Sequence, residues 1–464
     1  MNKIFYITVL LICRTMAVEF KARCDSDATC TSLYNSAYQC INNACEHQSV
    51  LLTDPFQMIG LLIIILISAL SSAVGNGGGA MLMPVYILAF NFPIGNAVPL
   101  SKVTIFAAAF FNIIMIFNKR RAEDQDRFII DYRIGTFIVP LILAGTMIGV
   151  TIMMILPPII IFGPLIIYLV MTLKSCYNKW KMLYTKETEE KEQSSGIEAS
   201  ITNELVIDNN NSATKDDIKP QVIETDTMMA QGSKKSFFTL IAPLKTNLLL
   251  VLGSSLVVLL SSLIKGGKGV QSIAGIDQYS ALGWLVLGGA QIICFISSII
   301  IYNREKHAMS HINELDTPTS IFMKKLTVKS YIGGILAGSL GIGGGMVIGP
   351  VLLNLNMQPK VAAAISGFVV LFTSMSTSLQ FFIAGAFESR FVFYFMTTSA
   401  IGSIIGNMII SKLMVKYKRE SFLVFLLLIL FLCSTITLTS IGITQIIKQS
   451  HTFKFSLPYS EIPK

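Results

Sequence analysis

A motif of glycines followed by prolines occurs twice in the chain, each time within an apolar run, and it limits the possible folds more than any other feature. The first copy, glycine motif 1, is GNGGG at residues 75–79, followed by Pro84 and Pro93. The second copy, glycine motif 2, is GIGGG at residues 341–345, and each glycine and proline of the first copy recurs there 266 residues later. Closely spaced glycines break a helix and free backbone amides from their usual carbonyl partners. The duplication therefore predicts one structural unit present twice, each copy with a broken helix.

The composition of the chain places these breaks in a membrane. Apolar residues make up 53% of the 464 residues and charged residues only 14%, with a mean hydropathy of +0.64, which is too apolar for an ordinary soluble domain. The net charge of +9 is then expected to mark cytoplasmic loops rather than a nucleic-acid partner. The four histidines form no cluster with Cys, Asp or Glu at metal-ligand spacing, so neither a metal nor another cofactor is predicted.

Twelve apolar segments define the expected helices. They lie at Phe56–Val74, Ala80–Phe92, Val98–Phe117, Ile134–Ile152, Pro157–Leu173, Leu248–Ile264, Gly283–Tyr302, Tyr331–Leu340, Met346–Leu355, Ala362–Ala386, Phe391–Met414 and Phe422–Ile443. Three of them, Ala80–Phe92, Tyr331–Leu340 and Met346–Leu355, fall short of the roughly 20 residues that a crossing helix needs. The expected fold is an all-α polytopic membrane protein whose helices are short or broken at the glycine motifs.

Lysine and arginine residues orient these segments. When the chain starts outside the cytoplasm, the cytoplasmic loops hold 24 Lys and Arg and the outer loops hold 6. Leaving out the long loop 174–247, which carries little weight in this rule, the division is still 14 to 6. The first set of five segments then starts outside, and the second set, after two connecting segments, starts inside. The two sets are therefore predicted to be inverted repeats.

The predicted organisation of the chain follows from these assignments. Residues 1–17 have the basic, then apolar, then small-residue pattern of a signal peptide, because the apolar run is too short to span a bilayer. The acidic interval Thr185–Ser233 is expected to be disordered, since it cannot bury enough apolar area to fold. The expected parts are the signal peptide 1–17, a Cys-rich lumenal or extracellular segment 24–55, a first membrane repeat 56–173, a cytoplasmic linker 174–247, two connecting helices 248–302, a second membrane repeat 331–443 and an outer tail 444–464.

The eight cysteines fall into two groups. Cys24, Cys30, Cys40 and Cys45 crowd into the short polar segment after the predicted signal peptide, where two disulfides are expected and their pairing is open. A zinc site is the weaker alternative, because the spacing contains no CxxC pair. The other four cysteines lie in or beside apolar runs and are expected to be small buried hydrophobic residues.

The two glycine motifs are the predicted solute site. Short, glycine-interrupted segments at corresponding places in two inverted halves indicate the binding site of a transporter near the middle of the membrane. Successive glycine amides at the start of a helix form a donor array with a positive dipole end, which favours an anion. The alternative for each motif is close helix packing by small residues.

Side chains next to the motifs extend the candidate site. Ser101 and Ser366 each follow a motif and are expected to open the third segment of their repeat, where the hydroxyl could donate to an anion or cap the helix. Lys102, whose counterpart is Gly367, could neutralise a bound anion or extend to the membrane surface. Asn112, its repeat mate Thr377, and Gln380 are weaker candidates. The candidate substrate-binding residues are Gly75, Gly77, Gly78, Gly79, Ser101, Lys102, Gly341, Gly343, Gly344, Gly345 and Ser366.

These stretches resemble the sulfite exporter TauE/SafE family in its eukaryotic form. The resemblance rests on GNGGGAMLMPVYI with AVPLSK, on residues 118–121 leading to 126–132, on Pro140, Gly145 and Gly149, and in the second half on GIGGGMVIGPVLL, Pro359 with AAAIS, LQFFIAGAF and residues 416–421. The sequence departs from the family pattern at Asn76 and Phe128. The Cys-rich segment and the acidic linker are expected to lie outside the resemblance. The resemblance implies a transporter of small sulfur-containing anions, such as sulfite or organosulfonates, built from duplicated halves.

The sequence therefore predicts a secondary transporter for a small anion, working by alternating access in a lipid bilayer, rather than an enzyme. No segment contains paired carboxylates, a nucleophile with a base, or metal-ligand spacing. Entry through the secretory pathway predicts a multi-pass protein of the plasma membrane or an endomembrane. Two alternatives remain open: a receptor or scaffold that uses the Cys-rich segment, and an anion channel.

Overall fold

The computed structural model describes fifteen stretches of the chain, which together include the whole vicinity of both glycine motifs. These stretches are residues 24–28, 30, 38–41, 44–47, 55–121, 127–155, 163, 166–189, 245–267, 272–276, 280–310, 319–355, 357–385, 389–417 and 421–451. The predicted signal peptide, most of the predicted linker (190–244) and the end of the outer tail lie outside them.

The described membrane part is entirely helical, with two sets of five helices separated by a pair. The first set is α1 (Pro55–Val74), α2 (Gly79–Leu88), α3 (Ile94–Ile116), α4 (Tyr132–Ile155) and α5 (residues 166–189); the pair is α6 (Lys245–Lys265) and α7 (Ala281–Ser310); the second set is α8 (Thr319–Leu340), α9 (Gly345–Asn354), α10 (Pro359–Ile383), α11 (Ser389–Tyr417) and α12 (Ser421–His451). The structure thus confirms an all-α polytopic architecture with breaks at both glycine motifs.

Helix length and composition agree with a multi-pass membrane protein. Within the described residues, eight helices are long and apolar enough to cross a bilayer, and α2 and α9 are short apolar helices of ten residues each. These two short helices begin at Gly79 and Gly345, the last glycine of each motif. Each motif therefore separates a long helix from a short one.

Several helix boundaries differ from the prediction by a turn or more, among them the start of α8 and the end of α5. The segment expected at Tyr331–Leu340 belongs to α8, which begins at Thr319, because Lys324, Lys325 and Lys329 lower the hydropathy of its first half without interrupting the helix. The linker expected from residue 174 begins as part of α5, which is helical to residue 189. There Glu187 accepts hydrogen bonds from the backbone nitrogen (2.9 Å) and hydroxyl (2.5 Å) of Ser421, at the start of α12.

The most extensive packing between the two sets joins α4 to α8 and α1 to α11. Glycines permit the first contact: a Cβ atom on Gly338 would lie 2.6 Å from the Thr146 carbonyl oxygen, and one on Gly334 would meet the Ile142 carbonyl oxygen. Close approach of backbones at small residues is the usual way in which membrane helices pack.

The contact between α1 and α11 uses the corresponding positions. Ser68 and Ser72, which precede Gly334 and Gly338 by 266 residues, form hydrogen bonds of 2.9 and 2.8 Å with the hydroxyls of Ser399 and Ser403. On the same interface Gly406 lies against the Ala69 backbone. The first helix of each set therefore packs on the fourth helix of the other set.

The Cys-rich segment forms a small unit of its own. Strands β1 (Tyr38–Ile41) and β2 (Ala44–His47) pair antiparallel in a hairpin that the sequence did not predict. Disulfides join Cys24 to Cys40 and Cys30 to Cys45. All four sulfurs are used in these bonds, so the two predicted disulfides are confirmed and the zinc alternative is wrong. Of the other cysteines, Cys176 and Cys294 are buried, as expected, and Cys433 is half-buried.

Candidate functional site

The two glycine motifs meet in the interior of the protein. A Cβ atom placed on Gly77 would lie 3.4 Å from the Cα atom of Gly343, and one placed on Gly343 would lie 3.4 Å from the Cα atom of Gly77. All ten residues of the two motifs are buried. Two segments that are 266 residues apart in sequence are thus in direct backbone contact.

The outer glycines of each motif repeat this contact in a reciprocal way. A Cβ atom on Gly79 would strike the carbonyl oxygen of Gly341, and one on Gly345 would strike the carbonyl oxygen of Gly75. Gly75 and Gly341 both have φ of +67°, the left-handed conformation that ends a helix. The conformation favours glycine at positions 75 and 341, and the close approach requires it at positions 79 and 345, so the repetition of these outer glycines has a direct steric cause.

Several backbone N–H groups at the two motifs have no backbone carbonyl as acceptor within the described chain. The first hydrogen bonds of α2 come from Met81 and Leu82 to the Gly78 carbonyl, and those of α9 come from Met346 to the Gly343 carbonyl and from Ile348 to the Gly344 carbonyl. Among the described residues, the amides of residues 77–80 and 343–345 donate no hydrogen bond to a backbone carbonyl. Such free amides at two helix N-termini suit a negatively charged group.

Helix α3 brings Ser101 to glycine motif 2. The Ser101 hydroxyl lies 2.7 Å from the Val98 carbonyl oxygen and 3.2 Å from the Gly341 carbonyl oxygen. Because α3 begins at Ile94 and α10 at Pro359, Ser101 and Ser366 lie about two turns inside their helices. The prediction that they open these helices, and the alternative that they cap them, are both wrong, because both helices begin earlier than predicted.

Lys102 follows Ser101 in α3, and its ammonium group contacts the end of α8. Its side chain is 1% exposed, and its ammonium group donates to the carbonyl oxygens of Ala337 and, over 2.6 Å, Ile342. It therefore does not extend to the membrane surface. Two of its three protons are used by backbone carbonyls, one in the last turn of α8 and one in motif 2, and the positive charge lies at the C-terminal end of α8, where the helix dipole favours it.

Helix α1, which precedes motif 1, ends differently from α8. The amides of Gly75 and Asn76 donate to the carbonyls of Ser72 (3.1 Å) and Ser71 (2.9 Å), the usual termination by a left-handed glycine. Ala337 corresponds to Ser71 in the repeat, so the lysine ammonium replaces the backbone amide at this position. The two motifs are alike in shape but not in charge.

Several buried polar atoms around the motifs have no hydrogen-bond partner among the described residues. They are both side-chain polar atoms of Asn76, the hydroxyl of Ser366 and the side-chain oxygen of Asn112. Asn76 is 1% exposed and Ser366 0%. Buried polar groups are rarely left unpaired, and such a group indicates water or a ligand that completes it.

The packing places these atoms at the motifs. Asn76 belongs to motif 1, Asn112 lies against Gly367, and a Cβ atom on Gly349 would be 3.4 Å from the Ser366 hydroxyl. Asn76 was absent from the predicted site, although its polar side chain within an otherwise apolar glycine run was a signal that could have identified it. Thr377 donates within its own helix to Thr373, and Gln380 donates to Ser376, so these two weaker candidates make local contacts.

A small apolar cavity leads towards the motifs from the beginning of α12. It has a volume of about 10 Å³ and is lined by Val74, Gly349, Leu353, Pro359, Ala362, Ala363, Leu423, Val424 and Leu427. Val74 directly precedes motif 1, while Leu423 and Val424 lie in the first turn of α12. The cavity thus lies between the first turn of α12 and the residue that precedes motif 1.

Comparison with known proteins identifies the same regions of the chain. The family model described as Sulfite exporter TauE/SafE matches residues 59–204 and 326–445, which contain both motifs and both sets of five helices, apart from their ends. The match reaches residue 204 and so includes the beginning of the acidic linker, which we had expected to lie outside. Helices α6 and α7 fall between the matched ranges.

Relatives from Arabidopsis thaliana match most of the chain. Sulfite exporter TauE/SafE family protein 1 is 26% identical over 390 residues, covering 81% of each chain. Family protein 2 is 24% identical over 404 residues, covering 83% of each, and family protein 3 is 24% identical over 392 residues, covering 84% of this chain and 79% of the relative. No solved structure matches.

Proposed function

The chain belongs to the sulfite exporter TauE/SafE family, and from this premise we propose that it carries a small sulfur-containing anion, sulfite or an organosulfonate, across the membrane by alternating access. The solute would bind where the two glycine motifs meet. The observation that carries this assignment is the group of unpaired buried polar atoms at that contact, those of Asn76, Ser366 and Asn112. A solute with several oxygen atoms could accept from the amide of Asn76 and the hydroxyl of Ser366.

The charges around the contact support an anion as the solute. Lys102 is buried there, and none of the residues in or next to either motif is acidic. The free amides at the starts of α2 and α9 add positive dipole ends. An anion near the motifs would offset the cost of burying the Lys102 ammonium, which no carboxylate among the described residues neutralises.

The packing of the halves supports alternating access through inverted repeats. Each half contributes its first helix to the fourth helix of the other, α1 to α11 and α8 to α4, with the two motifs in contact between them. At Gly334, Gly338 and Gly406 the backbones of these helices lie in close contact, and the proposed movement is a small sliding or rocking of the halves at these contacts. Such movement would open the motifs first to one side of the membrane and then to the other.

The test is flux of sulfite in vesicles reconstituted with the purified protein. Gly343→Ala places a Cβ atom 3.0 Å from the Asn76 carbonyl oxygen and 3.4 Å from the Gly77 Cα, so we expect it to lower flux at least tenfold. Gly95→Ala is the matched control, because no atom lies within 4 Å of its added Cβ. Undiminished flux in Gly343→Ala, with the protein folded, would remove the site from the motifs.

The receptor and channel alternatives give different outcomes in the same vesicles. Deleting residues 24–50 removes the disulfide-bonded hairpin, and flux should survive if the helices carry the solute. Flux that saturates with sulfite concentration and reaches at most about 10³ ions per second agrees with a carrier, whose conformational steps take microseconds to milliseconds or longer. Unsaturable, faster flux would indicate a channel.

A further inference from the structure

A second cavity, which we call the outer cavity, lies between helices of both halves and the connecting pair. Its volume is about 40 Å³, and it is lined by Met147, Val150, Thr151 and Met154 of α4, Ser261, Ser262, Lys265 and Gly266 at the end of α6, Leu287 of α7, and Gln380, Ile383 and Ala384 at the end of α10. A single water needs about 10–15 Å³ by the same kind of measure. The outer cavity therefore has room for a small ion of a few atoms.

Lys265 is the charged residue of this cavity. Its side chain is 7% exposed, and the cavity lining contains no aspartate or glutamate. Its ammonium has neither a carboxylate nor a hydrogen-bond acceptor in the described part of the protein; the recorded contact is with the ring of Trp284, whose centroid is 5.7 Å away. A contact with an aromatic face offsets only part of the cost of burying a charge.

The end of α6 does not need this lysine to satisfy its backbone. The last carbonyl oxygens of the helix already accept hydrogen bonds: that of Ser262 from the Gly266 amide (2.9 Å), that of Leu263 from the Ile273 amide (3.3 Å) and that of Ile264 from the Ser272 hydroxyl (2.5 Å). Lys102 and Lys265 thus differ. Lys102 donates hydrogen bonds to carbonyl groups at a helix end, whereas Lys265 donates to no carbonyl group among the described residues.

Around Lys265, the side-chain protons that remain available to a ligand belong to the lysine and to Gln380. The hydroxyls of Thr151, Ser261 and Ser262 each donate to a carbonyl of their own helix at 2.8–2.9 Å. Gln380 uses one of its two amide protons for Ser376, at 3.1 Å. The second amide proton and the three ammonium protons are donors, and an oxyanion is the ligand class that accepts from both.

We propose that the outer cavity is an anion-binding site, separate from the glycine motifs, in which Lys265 and Gln380 hold a small inorganic oxyanion on the side opposite the linker. The ends of α4, α6 and α10 that form it all lie on the predicted outer side. The site depends on α6, which is outside the ranges matched by the family model. It does not rest on transport, so a chain that binds an anion here and shows no flux would overturn the proposed function alone.

The position of Trp284 provides a direct test. The chain has two tryptophans, so Trp180→Phe leaves Trp284 as the sole indole reporter, close to Lys265 and remote from the motifs. Titrating the purified full chain in neutral detergent with sodium sulfate or sodium sulfite should give a saturable change in Trp284 fluorescence. No saturable change with either anion would overturn the proposal.

Variants at both ends of α6 locate the binding. Adding Lys265→Met should weaken the anion affinity at least tenfold, and Lys265→Arg should retain it within about threefold. Lys245→Met, at an exposed lysine at the other end of α6, should leave it unchanged. Equal affinity in Lys265→Met and the parent would overturn the proposal.

A phospholipid headgroup offers the same chemistry as a free oxyanion. The titration is therefore repeated after delipidation and again in vesicles of pure phosphatidylcholine with and without 20% phosphatidylglycerol. We expect the sulfate response in all three samples. A response to phosphatidylglycerol with none to sulfate or sulfite would assign the cavity to lipid and overturn the proposed occupant.

Discussion

Lys102 and Lys265 are both lysines buried among membrane helices, and their surroundings assign them different tasks. Lys102 donates to two carbonyl oxygens at the end of α8, whereas Lys265 faces an aromatic ring and has no hydrogen bond within the described chain. A buried charge is stable when its protons have acceptors, so Lys102 is expected to hold the end of α8 in addition to any role towards the proposed solute, whereas Lys265 is expected to attract a ligand of its own.

Removing Lys102 should therefore reduce stability. Lys102→Met leaves the carbonyls of Ala337 and Ile342 without donors, and we expect the free energy of unfolding to fall by about 2 kcal/mol. Unfolding in detergent with increasing SDS measures this change. Lys181→Met, an exposed lysine of α5, should stay within about 0.5 kcal/mol of the parent; equal stability of the two variants would contradict the helix-ending role.

Replacing Asn76 should not reduce stability, in contrast to replacing Lys102. Because both polar atoms of its side chain are buried and unpaired, Asn76→Ala is expected to leave the free energy of unfolding unchanged or to raise it by up to about 1 kcal/mol. Sulfite flux should nevertheless fall about tenfold, since a solute donor is lost. Stability and flux are measured on one preparation, with the exposed Asn178→Ala as control. Unchanged flux would show that Asn76 does not bind the solute.

At the scale of helices, the contact between α4 and α8 depends on glycines facing backbone. Gly338→Ala would bring a Cβ atom to 2.6 Å from the Thr146 carbonyl oxygen, and we expect a loss of about 1–3 kcal/mol through overpacking. Gly289→Ala in α7 meets no atom within 4 Å and should be neutral or stabilising, because alanine favours a helix. Thermal unfolding of both variants tests the difference. A similar melting temperature for both would mean that the interface can widen at little cost.

The sequence predicted most helices and both breaks, because apolar runs and repeated glycines are local signals. It placed the starts of α3 and α10 too late, at Val98 and Ala362, because polar residues such as Asn96 and Lys360 precede these apolar runs although they already belong to the helices. The first half of α8 was missed because its lysines reduce hydropathy. The bond from Lys102 to Ile342 and the outer cavity could not be predicted, because they join residues distant in the chain.

For the whole molecule, the predicted topology places the two ends of α10 on opposite sides of the membrane. Ala363 lines the apolar cavity below the motifs, and Ala384 lines the outer cavity. In a chain whose unpaired cysteines are replaced by serine, Ala363→Cys should react with an impermeant maleimide from the cytoplasmic side only. Ala384→Cys should react from the outer side only. Labelling of both from the same side, in sealed vesicles of known orientation, would contradict the predicted placement of α10 across the membrane.

The ammonium group that ends α8 also makes the two copies of the repeat unequal. A dimer of identical subunits would bring two such lysines to its axis, one from each subunit, and their repulsion would oppose assembly. A single polypeptide can keep one lysine at position 102 and glycine at the corresponding position 367. Because both copies belong to one polypeptide, a single positive charge can lie between them. The resulting electric field is asymmetric, which a dimer with strict twofold symmetry cannot produce.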